Sequence, residues 1–296
     1  MDQQLLVFIT VVEKQNFSRA AEELHMTQPA VSQYIQGFER EIGTRLLERS
    51  NKYVRLNKAG EIVYHHAKEI LGLYTKMQRY VDDITNKMSG PISIGASYTF
   101  GEYVLPHIMA KMLDQYPLII PSVAIGNSKE VAELVLGHQI DVGIVEGDYK
   151  NENLNIEAFD EDKMYIILAT GHPLANQQRE IGIEELEKVS WIVREKGSGT
   201  REATEQLFRQ LGIVPSKKME FGSTQLIKES VEAGLGISLL SKWAIQKELS
   251  MGTLQIMDVQ GVPFSRMFSI VTLSPYKTKA IDTFLDLVRV NSERTT

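Results

Sequence analysis

The chain has 296 residues, 43% hydrophobic and 24% charged, with a formal net charge of −6. That length suits about two globular domains, and the apolar content argues against disorder. It has no cysteine, which excludes disulfides, thiolate metal sites, thiol catalysis and cysteine-based redox sensing. No apolar run approaches the roughly 20 residues of a membrane span, and the start MDQQLLVFITVVEKQNF has no basic leader and is cut by Glu13 and Lys14. A cytoplasmic protein without membrane contact is expected.

Charge is unevenly distributed. Residues 1–88 hold 12 Lys or Arg and 11 Asp or Glu, leaving 20 and 27 for the remainder. A local basic patch can therefore work beside an acidic body, since screening acts over about 10 Å at moderate salt.

Residues 16–58 predict two short helices joined by a tight turn, then a basic hairpin-like tail: a winged helix-turn-helix. Asn16 and Ser18 are candidate caps for a helix to about Leu24, with Ala20, Ala21 and Leu24 on its inner face. Thr27 caps the next helix, Pro29 sits in its first turn, and Val31, Ile35 and Phe38 point inward. Its outer face carries Gln28, Ala30, Ser32, Gln33 and Gln36, short neutral groups suited to base edges in a major groove. Arg45, Arg49, Lys52, Arg55 and Lys58, opposed only by Glu48, suit phosphates or a narrow minor groove. The bland reading is a helical hairpin beside a solvated charge run. Pattern, polar face and basic wing together favour DNA, with Ser18, Arg19, Thr27, Gln28, Pro29, Ala30, Ser32, Gln33, Gln36, Arg49, Lys52 and Arg55 as the contact set.

From Lys58 to Ser89 apolar residues recur at alternating steps of four and three: Val63, Ala67, Ile70, Tyr74, Met77, Val81, Ile84 and Met88. This heptad seam implies a helix of about 45 Å that needs a partner. Gly72, His65 and His66 weaken the seam, and packing on its own domain is the alternative. A homodimer would present two reading heads to a two-fold DNA site. Ser89, Gly90 and Pro91 end the helix.

Beyond Pro91, the runs ISIGAS, LIIPSVAIG, DVGIVEG, KMYIILATG, SWIVRE, ISLLS and MFSIVTL alternate with helical stretches. They predict an α/β domain with mainly parallel sheets and ligands outside the strands' carboxyl ends. Ser97, Thr99, Asn127, Ser128, Glu146, Ser198, Gly199, Thr200, Arg201, Ser223 and Thr224 stand at such ends. Gly197–Arg201 places small residues and a cation at a helix N-terminus, where a carboxylate, phosphate or sulfate is stabilised. Arg194 is a second charge nearby. The alternative is a helix cap with a surface arginine, and no Walker ending is present. The six histidines (25, 65, 66, 107, 138 and 172) show no metal-ligand spacing, and no nucleophile elbow occurs. Neither enzyme chemistry, metal nor cofactor is expected. Asp160, Glu161 and Asp162 read as a solvated crossover loop rather than a metal site.

NFSRAAEELHMTQPAVSQYIQGFEREIGTRLLERS resembles the amino-terminal signature of the LysR-type transcriptional regulators. VEAGLGISLLS, residues 231–241, is similar to a segment of their effector domains. The resemblance covers the whole chain. It implies a winged helix-turn-helix at 1–58, a dimerising linker helix at 59–90, and two periplasmic-binding-protein-like (type II) α/β subdomains. These span 91–161 with 267–296, and 162–266, the chain crossing near Asp162 and returning near Arg266. It further implies an interrupted palindromic double-stranded DNA site, a small anionic or zwitterionic effector between the subdomains, a homodimer or dimer of dimers, and RNA polymerase as a partner. Gln28, Pro29, Ser32 and Arg49 match the family motif by position, whereas Gln33 stands where many members have a basic residue. REKGSGTRE resembles the branch that regulates sulfur assimilation and carbon fixation. The competing classes are an enzyme and a transporter's solute-binding clamp, which would need a secretory leader in place of a DNA head.

Overall fold

The computed structural model describes residues 2–49, 53–85, 90–175, 177, 181–273 and 277–292. The chain forms two compact units, one built on residues 1–84 and one on 85–136 with 140–296.

The first unit packs α1 (Asp2–Lys14), α2 (Phe17–Glu23) and α3 (Gln28–Ile42) around one core. Asn16 caps α2, its Oδ1 accepting the N–H groups of Ser18 (2.8 Å) and Arg19 (3.0 Å). Ser18 itself falls in the first turn, so Asn16 alone is the side-chain cap. Thr27 caps α3, Pro29 lies in the opening turn, and Gly43 closes the helix at φ +85°, a left-handed conformation that favours glycine. Ala20, Ala21, Val31, Ile35 and Phe38 are buried as the spacing requires, with the Phe8 ring tilted against Phe38 at 5.5 Å. The wing is β1 (Leu47–Arg49) paired antiparallel with β2 (Val54–Leu56). Glu39 fixes its entry by accepting the N–H groups of Leu46 and Leu47.

Asn57 then starts α4 (Lys58–Thr85), giving its amide N–H to the Arg45 carbonyl and accepting that of Gly60. The seam divides along this helix. Ala67 is buried and Val63 packs on the first unit's core, whereas Ile70, Tyr74, Met77 and Val81 are 40–58% exposed. The side chain of Ile84, and Met88 entirely, lie outside the described residues.

The second unit continues with β3 (Gly90–Ser97), a π-helical turn (Phe100–Val104), α5 (Leu105–Gln115), β4 (Ile119–Gly126), α6 (Ser128–Leu136), β5 (Val142–Glu146) and β6 (Asn155–Ala169). Next come α7 (Ile183–Lys188), β7 (Ser190–Arg194), α8 (Gly199–Leu211), β8 (Lys217–Phe221), α9 (Thr224–Glu232), β9 (Ser238–Ser241) and α10 (Lys242–Met251). The chain closes with β10 (Leu254–Ile256), β11 (Phe264–Thr272) and α11 (Lys279–Ser292). One core gathers residues from β3, β5, α5, β11 and α11, and another gathers the inner residues of β6, β7, α8 and β9. They define two halves.

The expectation of mainly parallel sheets needs correction. β3 pairs parallel with β4 and β5, and β7 with β8, but β11 runs antiparallel to β5 and β6, while β9 and β10 run antiparallel to β6. The cause is that β6 and β11 are the two crossings between the halves, so one leaves as the other returns. The acidic triplet is corrected with it. Asp160, Glu161 and Asp162 lie within β6, not in a loop, and Asp162 is fully buried opposite Arg266.

A Cβ on Gly60 would lie 2.1 Å from the Leu46 carbonyl oxygen. Helix propensity alone makes Gly60→Ala stabilising by up to about 1 kcal/mol. This contact reverses the sign, and a loss of about 1–3 kcal/mol is expected in urea unfolding of the N-terminal unit.

Candidate functional site

The strand ends of the second unit bring Thr99, Glu146 and Thr200 together around one buried cation, Arg266. Arg266 satisfies all five guanidinium N–H groups. Nε and Nη2 reach Asp162 at 2.8 Å, Nη1 reaches Glu146 at 2.6 Å and Thr200 Oγ1 at 2.9 Å, and Nη2 also reaches Thr99 Oγ1 at 3.0 Å. Two carboxylates thus share one buried positive charge. Burial disfavours both anions. At Glu146 it is outweighed by Arg266 and by donated hydrogen bonds, which hold the carboxyl below its ordinary range. At Asp162 burial wins, and the neighbouring Glu146 charge adds to it, so that carboxyl is raised.

Glu146 also organises the loop after β3, accepting the N–H groups of Thr99 (2.9 Å) and Phe100 (3.3 Å). Ser128 Oγ bridges its main chain, donating to the Glu146 carbonyl and accepting the Glu146 N–H. Ser97 Oγ is buried near this carboxylate without a hydrogen-bond partner of acceptable geometry. Gly199 abuts the same strand end so closely that a Cβ there would lie 2.1 Å from the Glu146 carbonyl oxygen.

Ser97, Thr99, Asn127, Ser128, Glu146, Ser198, Thr200 and Thr224 are all buried polar residues, an unusual concentration at strand ends. Ser198 caps α8, accepting Thr200 N–H at 3.2 Å. Ser223 caps α9 and is only half buried. A cleft of about 370 Å³ opens beside them, with Ser128, Lys129 and Tyr149 on one side and Lys196, Ser198 and Gly199 on the other. The two halves touch at its rim, where Lys129 N–H donates to the Gly197 carbonyl at 3.1 Å.

Arg201 reaches that cleft, but its guanidinium is engaged by Glu205 (2.6 Å), Glu220 (2.9 Å) and the Arg194 carbonyl (2.8 Å). Sequence reasoning named Asp162 and Arg266 only as the crossing points of the chain, not as members of the site, and gave Arg194 a secondary place. Arg194 is buried, lies 4.3 Å under the Tyr98 ring and donates to Thr224 Oγ1 at 3.2 Å. Among the described residues no cluster of His, Asp and Glu could hold a metal ion.

In the first unit α3 presents Gln28, Pro29, Gln33 and Gln36 to solvent, with Ala30 and Ser32 half buried beside them. Ser18, Arg19 and Thr27 are exposed where α2 approaches α3, and Arg55 is exposed on the wing over the Tyr53 ring at 5.0 Å. Lys52 and the side chain of Arg49 lie outside the described residues.

Residues 3–61 match the family model "Bacterial regulatory helix-turn-helix protein, lysR family", and residues 85–292 match "LysR substrate binding domain". The chain belongs to the LysR family of transcriptional regulators. The HTH-type transcriptional regulator CysL of Bacillus subtilis (strain 168) is 37% identical over 289 residues, covering 97% of this chain and 96% of that protein. The regulatory domain of Synechocystis PCC6803 CcmR, solved in complex with 2-PG, is 28% identical with a TM-score of 0.63, covering 69% of this chain and 98% of that one. Full-length CbnR, solved with its target DNA, shares the fold at a TM-score of 0.74 and 21% identity, covering 98% and 99%.

For this LysR-family chain Arg266→Met leaves Glu146 and Asp162 buried without a counter-charge. A loss of about 3–5 kcal/mol is expected in urea unfolding of the second unit; a loss below about 1 kcal/mol would show that the triad carries no such weight.

Proposed function

We propose that this regulator binds an interrupted palindromic duplex through paired copies of its N-terminal unit, and that a small acidic metabolite in the cleft of its second unit sets its activity at promoters. It acts in the cytoplasm and catalyses no reaction. One observation carries the effector reading: buried polar residues from strand ends of both halves gather beside one cleft, which Ser128, Glu146, Ser198 and Gly199 line, in a chain that also carries a helix-turn-helix. The residues facing the metabolite are Ser97, Thr99, Asn127, Ser128, Ser198, Gly199, Thr200 and Thr224, with Glu146 holding the floor; Ser223 and Arg201 stand at the rim.

Pairing is supported by α4, whose C-terminal stretch leaves Ile70, Tyr74, Met77 and Val81 uncovered on one stripe. An anionic effector is supported by the likeness to CcmR, whose regulatory domain was solved with 2-PG. Likeness to CysL and the REKGSGTRE motif direct the search first to sulfur and cysteine metabolism. A dimer of dimers and contact with RNA polymerase follow from the family resemblance. Effector binding alters promoter activity only through a difference in affinity between two arrangements of the chain.

On the reading face, Gln28→Ala or Ser32→Ala changes the order of preference among duplexes. Arg55→Ala weakens every duplex alike and reduces the salt slope by about 1. Fluorescence anisotropy across a salt series separates the two, and uniform weakening by the Gln28 variant would refute base reading from that face.

For the cleft, thermal unfolding of the full chain against sulfate, phosphate, sulfur-containing amino acids and sugar phosphates should show a concentration-dependent rise for at least one acidic compound and none for neutral sugars. A response to neutral sugars alone would overturn the acidic class.

A further inference from the structure

We propose that Arg194 receives the acidic group of the effector and that Glu195 is a built-in occupant of that same place, competing with it. The proposal rests on the reading that an acidic metabolite binds at this cleft, and it names the cation and the internal rival that adjoin its Lys196–Gly199 wall.

Arg194 ends β7, where the side chain emerges at the carboxyl edge of the second sheet. It is 1% exposed, and its contacts form an anion receptor of unusual completeness. Nε and Nη2 meet the two oxygens of Glu195 at 2.7 Å each, the parallel fork that arginine makes with carboxylates. Nη1 is held by Thr224, and Tyr98 covers the guanidinium face. Glu195 Oε1 also accepts Nδ2 of Asn127, at 3.3 Å, from the other half. One carboxylate is therefore bound by a guanidinium from one half and an amide from the other. That is the set of contacts a ligand clamped between the halves would make.

The bound carboxylate happens to belong to the chain. Successive residues of an extended strand point to opposite faces, so a bidentate pair between neighbours needs the strand to end and turn there. Glu195 is the first residue beyond β7. The partners differ in how readily they part. Arg194 is 1% exposed and Glu195 24%, so the acid can swing into water while the cation cannot. A buried guanidinium without an anion is costly, so Arg194 exchanges one anion for another rather than standing bare.

Arg201 is the poorer receptor. Its two carboxylate partners, Glu205 and Glu220, arise from its own helix and from β8, and neither bridges the halves. An incoming anion would have to displace both. At Arg194 it displaces one, and inherits the Asn127 and Thr224 contacts already arranged around it. A ligand carboxylate matches the Glu195 geometry atom for atom, and a phosphate or sulfate offers the same two oxygens to the fork. A tethered rival lowers the apparent affinity of the free ligand by the fraction of time it holds the site.

The test is calorimetric titration of the full-length protein with three probes, acetate, inorganic phosphate and inorganic sulfate, in wild type and in Glu195→Gln. Glutamine keeps the shape and removes the charge. Removing the charge leaves the buried Arg194 without an anion and costs stability in the empty protein, a cost that is recovered when a probe anion binds. The variant is expected to bind at least one probe tenfold or more tightly than wild type. Acetate leading would mark a carboxylate effector, and phosphate or sulfate leading a tetrahedral one. Arg194→Lys, which keeps the charge and loses the fork, should abolish the gain in the Glu195→Gln background. Unchanged affinity of Glu195→Gln for all three probes overturns the proposal. If wild type binds a probe and Arg201→Gln alone removes that binding, the proposal fails while the acidic-effector reading stands. If neither protein binds any probe and no acidic metabolite raises the unfolding temperature, both fail together.

Discussion

The effector unit is organised around the burial of one charge. Arg266 stands on β11 directly across from Asp162 on β6, the two strands by which the chain passes between its halves. A guanidinium at that depth is tolerable only if all its donors are used, and the structure uses them on Asp162, Glu146, Thr99 and Thr200. Those four residues come from a crossing strand, from the end of β5, from the loop after β3 and from the first turn of α8. Satisfying the cation therefore draws both halves' strand ends to one point. The cleft lies there because the charge does.

Charge balance explains why an acidic unit can still receive an anion. Each arginine near the cleft already has carboxylate neighbours: Arg266 has two, Arg201 has two, and Arg194 has one in fork geometry. Binding by such a surface is exchange, and the discriminating quantity is how easily each resident acid leaves. Glu146 and Asp162 are buried and fixed. Glu205 and Glu220 are exposed but act jointly. Glu195 is single, partly solvated and bonded across the halves, which singles out its site on physical grounds rather than by position in a motif.

Much of this architecture could be read from the residues, and the misses share a cause. The N-terminal unit was legible because its signals are local: Asn16, Thr27 and Pro29 punctuate the helices, and Val31, Ile35 and Phe38 keep helical spacing. The strand-end polar residues were legible because Ser, Thr and Asn after an apolar run mark a strand-to-helix turn. The acidic triplet was misread because its meaning depends on Arg266, 104 residues away. Alone, Asp160, Glu161 and Asp162 look solvated, and Arg266 within FSRMFSI looks like an edge charge. β8, KKMEF, was missed for a related reason: only Met219 and Phe221 carry an apolar signal, and its pairing with β7 is non-local. Arg201 stands out in the sequence as the cation beside a glycine-rich turn, with Arg194 only a second charge nearby. Their order of interest reverses only when the carboxylates that hold each are known.

The continuity of β6 and β11 also limits how the effector unit can respond. The chain passes between the halves only through these strands, and they pair along Asn155–Met164 and Phe264–Thr272. Their ladder is interrupted once, by a register shift between Phe268 and Ser269, immediately beside the Arg266 pair. An interrupted ladder bends and twists more readily than a regular one. The bend falls two residues from Arg266, whose bonds to Thr99 and Thr200 tie the two halves together at that point, so that a large opening there would cost both bonds. Small rotations keep those bonds while moving the cleft rim, where Asn127 and Lys129 meet Glu195 and Gly197. The rim is held by single hydrogen bonds between partly solvated groups and the Arg266 cluster by buried ion pairs, so a change of arrangement costs least at the rim.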